Sequence, residues 1–369
     1  MKFQTTRSEL LDAILFSSKA INPKISSYIL SGVLLDVGLD LNIFSTDLET
    51  SIKTTIKVKI EEKGKAVVPA KILINILKSL NESKITLEFN KETNQVLISC
   101  EKAHFTLNTL SLEEYPAFPE TSVINPIKIR LDKFKILVSK VQRAVSQDES
   151  RVILTGILME IEKDRLTMVA TDSYRLAIIK EKLNTEMEEI KIVVPSRVLD
   201  SIIKNDFKKA SLEIILEENQ IAFYLKKEEK IKNIIISRLL SGKFPEYKQL
   251  LPESMKHNII IEKEKLLEVV RRISSISQDN IPIKLIIEKG KMIVTMDIKE
   301  IGSSSENFEI SYGEEKMEIS FNPNFLIDGI MMMDDKNIIF SIEDPLKPVL
   351  LYSEKEKDMT YLLMPIRVS

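Results

Sequence analysis

An internal repeat constrains the fold of this chain more than any other feature. The string VVP occurs at residues 67–69 and again at residues 193–195, and a related string, FNP, occurs at residues 321–323. The prolines of these strings recur at intervals of 126 and 128 residues. Each proline precedes an amphipathic helical pattern, and proline favours the first turn of a helix because its missing N–H costs least there. The sequence therefore predicts three copies of one structural unit.

A second marker has nearly the same period. Thr-Asp pairs lie at residues 46–47 and 171–172, and the related string TMD lies at residues 295–297, so the aspartates recur at intervals of 125 residues and are expected at strand ends. Each copy also begins with a strand followed by a helix. It continues with alternating apolar and polar residues, which are typical of antiparallel hairpins with one buried face. This order predicts an α+β fold with helices on one face of antiparallel sheets, and not a doubly wound nucleotide-binding fold.

Proline-containing connectors separate the copies near residues 111–126 and 242–258. They divide the 369 residues into three predicted domains, at residues 1–124, 125–253 and 254–369. No apolar run approaches the roughly 20 residues that cross a bilayer, and the first residues lack the apolar core of a signal peptide. Cys100 is the only cysteine, so the chain cannot form an internal disulfide. We therefore expect a cytoplasmic protein.

Residues that usually carry catalysis or bind cofactors are sparse. His104 and His257 are the only histidines, and neither has a second histidine or a cysteine at metal-ligand spacing. The nine glycines form neither GxGxxG nor GxxxxGK[ST], the usual phosphate-binding loops. An enzyme that relies on carboxylates stays open as an alternative, although the Asp and Glu residues lie in mixed charge runs. We expect no catalytic site, no metal and no cofactor.

Basic residues gather on several of the predicted helices. Because the net charge is −2, a generally basic nucleic-acid-binding surface is excluded, and any DNA contact must be local. The basic residues are Lys71 and Lys78 on the first proline-led helix, Arg197 and Lys204 on the second, and Lys133, Lys140 and Arg143 on the exposed side of the helix that opens the second copy. Such residues most often form a solvated helix face, and DNA contact is the alternative.

Three strings carry a resemblance to a known family: VATDSYRL at residues 169–176, FPEYKQLLP at residues 244–252 and YLLMPIR at residues 361–367. The chain resembles the bacterial DNA sliding clamps, the beta subunits of DNA polymerase III, over its whole length. The resemblance implies a homodimeric ring of two chains joined head to tail, each with three repeated clamp domains, with helices lining the hole and antiparallel sheets outside. It also implies a non-catalytic protein that encircles duplex DNA and tethers the polymerase III alpha subunit, the clamp loader and other proteins with clamp-binding motifs.

A ring that encloses DNA needs only weak, sequence-independent phosphate contacts. The resemblance places these contacts on basic residues spread over the lining helices. They are Lys24, Lys71, Lys78, Lys133, Lys140, Arg143, Arg151, Arg197, Lys204, Lys265 and Arg272. The third proline-led helix is acidic instead, with Asp328, Asp334 and Asp335, so the positive lining is expected to be uneven.

The resemblance further implies a cleft for partner peptides between the second and third domains. Its residues are Leu154, Thr171, Ser173, Tyr174, Arg175, Leu176, Pro245, Gln249, Leu250, Leu346, Pro348, Leu362, Met364, Pro365, Ile366 and Arg367. Aliphatic side chains and methionine would form an adaptable apolar pocket, while Arg175 and Arg367 would anchor polar or carboxylate groups at its rim. The plain alternative is that Leu154, Leu176 and Leu362 are ordinary core residues. Gln249 and Tyr174 depart from the residues that are common in the family, so partner affinity is expected to differ.

The dimer interface implied by the resemblance joins the first domain of one chain to the third domain of the other. Phe105 and Leu107 on an edge strand would face Ile273 and Ile276 at the end of a helix. These four residues are alternatively ordinary core. For the protein as a whole, the competing interpretation is an interaction scaffold of the same fold that does not act on DNA.

Overall fold

The computed structural model describes residues 1–367, apart from residues 25–26, 123–124, 205–206, 208–209, 229, 253, 278–280, 354 and 357, and without the side chains of residues 185–187. The chain folds into two compact units. Unit 1 consists of Met1–Lys135 and Arg197–Leu239, and unit 2 consists of Ile136–Ser196 and Leu240–Ser369. The predicted domain boundaries at residues 124 and 253 lie outside the described residues.

The helices and strands follow the threefold order predicted from the repeat. The first third of the chain contains β1 (Lys2–Thr6), α1 (Arg7–Ser17), β2 (Gly32–Val37), β3 (Leu41–Thr46), β4 (Thr50–Ile56), β5 (Lys59–Glu62), β6 (Gly64–Pro69), α2 (Ala70–Ser79), β7 (Lys84–Asn90), β8 (Gln95–Cys100) and β9 (Ala103–Asn108). The second contains β10 (Ile127–Arg130), α3 (Leu131–Gln142), β11 (Gly156–Thr171), β12 (Arg175–Pro195), α4 (Ser196–Ile203), β13 (Ser211–Leu216), β14 (Gln220–Lys227) and β15 (Lys230–Arg238). The third contains β16 (His257–Glu262), α5 (Lys263–Ser274), β17 (Ile283–Glu288), β18 (Lys291–Ile298), β19 (Gly302–Glu309), β20 (Met317–Phe321), α6 (Pro323–Met332), β21 (Asn337–Ile342), β22 (Val349–Tyr352) and β23 (Met359–Leu363).

The three proline-led helices are confirmed. Pro69 and Pro195 end strands directly before α2 and α4, and Pro323 is the first residue of α6. Asn322 caps α6, because its side-chain oxygen accepts hydrogen bonds from the backbone N–H groups of Asn324 and Phe325. Such a cap satisfies donors that a helix leaves unpaired in its first turn.

Unit 1 contains two antiparallel sheets. Their strand orders are β5-β1-β7-β8-β9 and β10-β13-β14-β15-β4-β3-β2-β6. The second sheet is continuous because β15 pairs with β4, with Ser237 opposite Thr50. The apolar positions of the predicted β7–β8 hairpin are buried in one core with those of α1 and α2; they include Ile85, Leu87, Val96, Ile98, Leu10, Ile14, Leu73 and Leu77. Period-2 strands and period-3.6 helices thus bury their apolar faces against each other, as the sequence pattern predicts.

Unit 2 repeats this arrangement. Its sheets have the orders β11-β12-β23-β22-β21-β16 and β19-β18-β17-β20. Here β12 pairs with β23, with Leu176 opposite Leu362, just as β4 pairs with β15 in unit 1. In each unit, therefore, the last strand of one third of the chain extends a sheet formed by the preceding third.

Two of the three aspartate markers form the same turn. Asp47 Oδ1 accepts hydrogen bonds from the backbone N–H groups of Glu49 and Thr50, and Asp172 Oδ1 accepts the corresponding bonds from Tyr174 and Arg175. These side-chain bonds fix the hairpin turn by replacing backbone partners. The third marker does not share this turn, since Asp297 lies one residue before the end of β18, opposite Ser303, and is exposed.

A close approach of backbone and side chains also recurs in both units. A Cβ added to Gly32 would lie 2.7 Å from Leu110 and 2.8 Å from Val67, and one added to Gly156 would lie 2.7 Å from both Leu240 and Val193. Only glycine fits so close to its neighbours at these two equivalent positions. In the described part of the chain, no helix is long and apolar enough to span a bilayer.

Candidate peptide-binding site

The turn of VATDSYRL stands at the centre of the predicted cleft. Thr171 accepts a hydrogen bond from the Ser173 N–H and donates one of 2.7 Å to the carbonyl of Arg175. Together with Asp172, it holds Ser173 at a φ of 80°. The neighbouring side chain, Tyr174, is 61% exposed although its ring is large and apolar. The turn therefore presents an aromatic ring to solvent on a rigid base.

Arg175 does not have the role expected from the sequence. Its side chain is buried, and its guanidinium donates to Asp172 Oδ2 at 2.9 Å and to Asp328 Oδ2 at 2.6 Å. Burial would lower the pKa of Arg175, but Tyr361, Asp328 and Asp172 raise it above its ordinary value. The prediction that Arg175 anchors a ligand at the rim is therefore wrong, because two carboxylates within the protein already neutralise this side chain.

A buried apolar cluster lies beneath the turn. It consists of Leu154, Leu158, Val169, Leu176, Ile178, Val193, Phe244, Tyr247 and Leu362. Three predicted cleft leucines belong to this cluster, as the core alternative also predicts. The predicted rim is different, since its large apolar side chains Tyr174, Leu250, Leu346 and Met364 are at least 40% exposed. An apolar rim around an apolar floor is typical of a docking site.

The C-terminal segment is fixed on both sides. The N–H of Met364 donates to the carbonyl of Tyr174 at 3.0 Å, and the N–H of Ile366 donates to the carbonyl of Ser320 at 2.7 Å. Pro365 lies between them and is half-buried, while Arg367 is exposed. The segment after β23 is thus held against the turn and against β20.

The remaining predicted cleft residues lie on two connectors. Pro245, before the short 3-10 helix Tyr247–Leu250, and Gln249, within it, are both exposed. Pro348 is half-buried and lies directly before β22. Tyr247 donates a hydrogen bond of 2.6 Å to Glu160 Oε2, which fixes this connector to β11. Burial would raise the pKa of Glu160, but the bonds from Tyr247 and Lys191 outweigh it and lower that pKa.

The sequence interpretation missed Phe325. Its ring stacks on Tyr174 with the centroids 6.3 Å apart, and the Arg175 guanidinium lies 4.1 Å from its centroid. Phe325 is on α6, for which the sequence predicted a proline-led amphipathic helix with acidic residues but no part in the cleft. The string NPNFLIDG places an aromatic residue in the first turn of the helix, three residues after the Asn322 cap, and this was the only sequence signal.

The basic residues predicted to contact DNA are mostly exposed. Lys24, Lys71, Lys78, Lys133, Arg143, Arg197, Lys204, Lys265 and Arg272 are exposed, and Arg151 is half-buried. Several bind carboxylates of the protein, including Arg143 to Asp328, Arg197 to Asp47 and Arg272 to Glu306. These contacts reduce the positive charge that is free for phosphate.

Lys140 contradicts the prediction. Its side chain is 5% exposed, and its ammonium forms ion pairs with Asp334 and Glu356. The helical pattern placed Lys140 on the solvated side of α3, but that side is covered by residues near α6 and β22. Lys140 is therefore a buried structural ion pair and not a DNA contact.

The predicted interface residues divide into two kinds. Leu107 and Ile273 are buried in the single chain, which fits ordinary core, whereas Phe105 and Ile276 are half-buried. Among the described residues, no group of three or more His, Cys, Asp or Glu side chains could hold a metal ion.

Comparison with known protein families covers nearly the whole chain. Residues 1–119, 128–246 and 248–367 match the models of the N-terminal, central and C-terminal domains of the DNA polymerase III beta subunit. The chain belongs to this family. It is 30% identical to the beta sliding clamp of Bacillus subtilis over 314 residues, which are 83% of this chain and 81% of the relative.

Solved structures agree with this assignment. The Bacillus subtilis DNA polymerase sliding clamp superposes with a TM-score of 0.93 at 27% identity, and each chain is covered completely. A Bartonella birtlesii sliding clamp bound to griselimycin gives a TM-score of 0.93 at 26% identity, again with complete coverage of both chains. The chain thus has the three-domain sliding clamp fold with antiparallel sheets.

Proposed function

We propose that this protein is a DNA sliding clamp: a non-catalytic processivity factor that encircles duplex DNA and tethers the replicative polymerase and other proteins through a peptide-binding cleft. The observation that carries this proposal is the match of all three family domains in one chain, in the family's order. The proposal includes domains at residues 1–124, 125–253 and 254–369 and a cytoplasmic location.

Sheet pairing supports closure of two chains into a ring. Within each unit, the last strand of one third pairs with a strand of the preceding third: β15 with β4, and β23 with β12. β9 is the last strand of the first third, and no third precedes it in the same chain. By the same rule, its partner must come from the last third of a second copy. The strand equivalent to β4 in that third is β19. In the described chain, β9 pairs only with β8 and β19 only with β18. Head-to-tail pairing of β9 with β19 would cover both edges.

The charges support weak and sequence-independent DNA contact. Exposed lysines and arginines lie on several helices, while the whole chain carries a net charge of −2. Several of these cations are already paired with carboxylates. Retention on DNA would therefore depend on enclosure more than on affinity, which permits sliding.

The apolar rim and floor in unit 2 support the binding of an extended peptide with apolar anchors. Burial of a few such anchors gives modest affinity, which suits partners that must exchange. Candidate partners are the polymerase III alpha subunit and the clamp loader. The related Bartonella clamp binds griselimycin, so this compound is a suitable first probe of the cleft.

Loading on nicked circular DNA tests the clamp function. The chain is loaded onto the circles by the clamp loader of the same organism in the presence of ATP. The amount of protein that elutes with DNA in gel filtration is measured before and after the circle is linearised. We expect retention that survives high salt on circles and is lost on linear DNA, because ends release a ring. The Bacillus subtilis clamp with its own loader is the positive control. If the chain is never retained on circles but still binds griselimycin, it is an interaction scaffold that does not act on DNA.

A further inference from the structure

We propose that Asp328 is a positioning residue of the peptide site, which acts through Arg175 to hold Tyr174 and Phe325 in the arrangement that a peptide binds. This inference rests on the proposed function and concerns a residue that lies under the cleft. Asp328 is on α6 and is 21% exposed. Its two carboxylate oxygens bind different arginines: Oδ2 binds Arg175 at 2.6 Å and Oδ1 binds Arg143 at 2.9 Å.

Arg175 connects this carboxylate to the aromatic rim. It is buried, with one side of the guanidinium on Asp172 of the turn and the other on Asp328 of α6. Its flat face lies over the ring of Phe325, which in turn stacks on the exposed Tyr174. A guanidinium attracts an aromatic ring whose face it covers, so a fixed guanidinium also favours one position of the ring. The two carboxylates therefore determine where both rings of the rim lie.

In unit 1, different residues link the equivalent turn to the equivalent helix. Asp47 corresponds to Asp172, and the repeat aligns Arg197, Thr50 and Asp200 with Phe325, Arg175 and Asp328. In unit 1 the helix residue Arg197 binds Asp47 at 2.7 Å and Thr50 at 3.2 Å. Asp200 pairs with Lys204, the residue that follows α4, at 2.5 Å.

Both units link a helix to the turn, but only unit 2 also places an aromatic residue at the start of that helix. In unit 1 one arginine on the helix ties the helix to the turn directly. In unit 2 the arginine is on the strand, and Asp328 provides the second half of the link. This exchange leaves the first turn of α6 free to carry an aromatic residue at the rim, where unit 1 has an arginine. Asp328 thus matters for peptide binding because it permits Phe325.

The experiment measures binding of fluorescently labelled griselimycin, and of a labelled peptide copied from the host's polymerase III alpha subunit, to the full-length chain. Asp328→Asn keeps the shape of the side chain and removes its charge. Loss of a charge-assisted bond to a buried arginine should weaken both ligands about tenfold. The matched control is Asp200→Asn, the same change at the equivalent position of unit 1, which should leave both affinities unchanged.

Two further variants separate positioning from a general loss of stability. Asp328→Glu restores the charge and should recover most of the affinity. Arg143→Ala removes the other partner of Asp328 and should leave affinity within about twofold, because Arg143 does not touch the aromatic pair. If Arg143→Ala weakens binding as much as Asp328→Asn does, the pathway through Arg175 is wrong.

A spectroscopic readout follows the rim itself. The chain contains no tryptophan, so Tyr174→Trp introduces one emitter at the rim. Adding Asp328→Asn should shift its emission in the absence of ligand, whereas adding Asp200→Asn should not. Unchanged emission together with wild-type affinity in Asp328→Asn would overturn the positioning role alone. A wild-type chain that binds neither ligand would contradict the proposed cleft, and this role with it.

Discussion

Gly329 shows how a single residue sets the distance between a helix and a sheet. A Cβ at this position would lie 2.4 Å and 2.5 Å from two ring carbons of Tyr361, which is fully buried on β23. The Tyr361 hydroxyl donates a hydrogen bond of 2.8 Å to the carbonyl of Phe325. The ring is therefore fixed at its far end and cannot move aside. Any side chain at residue 329 must push α6 away from β23.

Overpacking a core usually costs about 1–3 kcal/mol, and the gain in helix propensity from alanine offsets roughly 1 kcal/mol of that cost. We therefore predict that Gly329→Ala destabilises the protein by up to about 2 kcal/mol. Gly313→Ala is the matched control, since nothing lies within 4 Å of a Cβ there. Urea unfolding of both variants checks the prediction. Equal midpoints for the two variants would show that α6 can shift without cost.

The Tyr247–Glu160 bond gives a pH dependence of stability. The folded protein holds the pKa of Glu160 below the ordinary value of 4.5, because bonds from Tyr247 and Lys191 outweigh the effect of burial. A carboxyl group with a lowered pKa stabilises the fold above its unfolded pKa, and this contribution is lost as the pH falls through the folded value.

We therefore predict that Tyr247→Phe lowers the free energy of unfolding by about 1–2 kcal/mol at pH 7 and that this difference shrinks below about pH 4.5. Urea unfolding of wild type and variant between pH 7 and pH 3.5 measures the difference. Tyr312→Phe is the control, because the Tyr312 hydroxyl donates to a backbone carbonyl, that of Glu315, and a backbone carbonyl does not titrate. A difference that stays constant with pH would exclude Glu160 as the partner that matters.

At the scale of helices and strands, the sequence predicted more than it did for single side chains. Apolar periodicity identified the β7–β8 and β13–β14 hairpins and the proline-led helices, because burial of one face depends on local spacing alone. The same spacing failed for Lys140, since the Asp334 and Glu356 that cover it are 194 and 216 residues away in the chain. No local pattern contains that information. Phe325 was missed for the same reason.

Lys140 offers a test of α3. We predict that Lys140→Ala destabilises the protein by about 2–4 kcal/mol, because it leaves Glu356 partly buried without its cation. DNA retention on circles should not change. Lys133→Ala, on the exposed part of the same helix, should do the opposite: a small loss of DNA affinity and no loss of stability. Urea unfolding and salt-dependent DNA binding measure the two effects. An unchanged unfolding midpoint in Lys140→Ala would mean that the ion pair contributes nothing.

At the scale of the whole molecule, the pairing of strands does not follow the predicted domain boundaries. Each sheet that joins two thirds of the chain crosses a predicted domain boundary, so cutting at residues 124 or 253 would leave β4 and β12 without their partners β15 and β23. Composition and connectors cannot reveal such pairing, because hydrogen bonds between strands leave no periodic signal of their own. They show only where the copies begin. The sheet order then identifies β9 and β19 as the strands through which a second copy would join.

The last prediction concerns that joint. Phe105 on β9 and Ile276 after α5 keep exposed apolar surface in the single chain, whereas Leu107 and Ile273 are already buried. Interface energy should therefore come mainly from the first two, and truncating both should weaken the dimer at least tenfold, since buried interface anchors contribute about 1–2 kcal/mol or more each.

Sedimentation velocity over a dilution series measures the dissociation constant of Phe105→Ala with Ile276→Ala. Leu97→Ala is the control, because Leu97 is exposed in the same sheet but lies on β8, which is not an edge strand. A double variant that stays dimeric at the same dilution as the control would place the joint elsewhere. A double variant that becomes monomeric yet still binds griselimycin would show that the cleft belongs to one chain and does not depend on the ring.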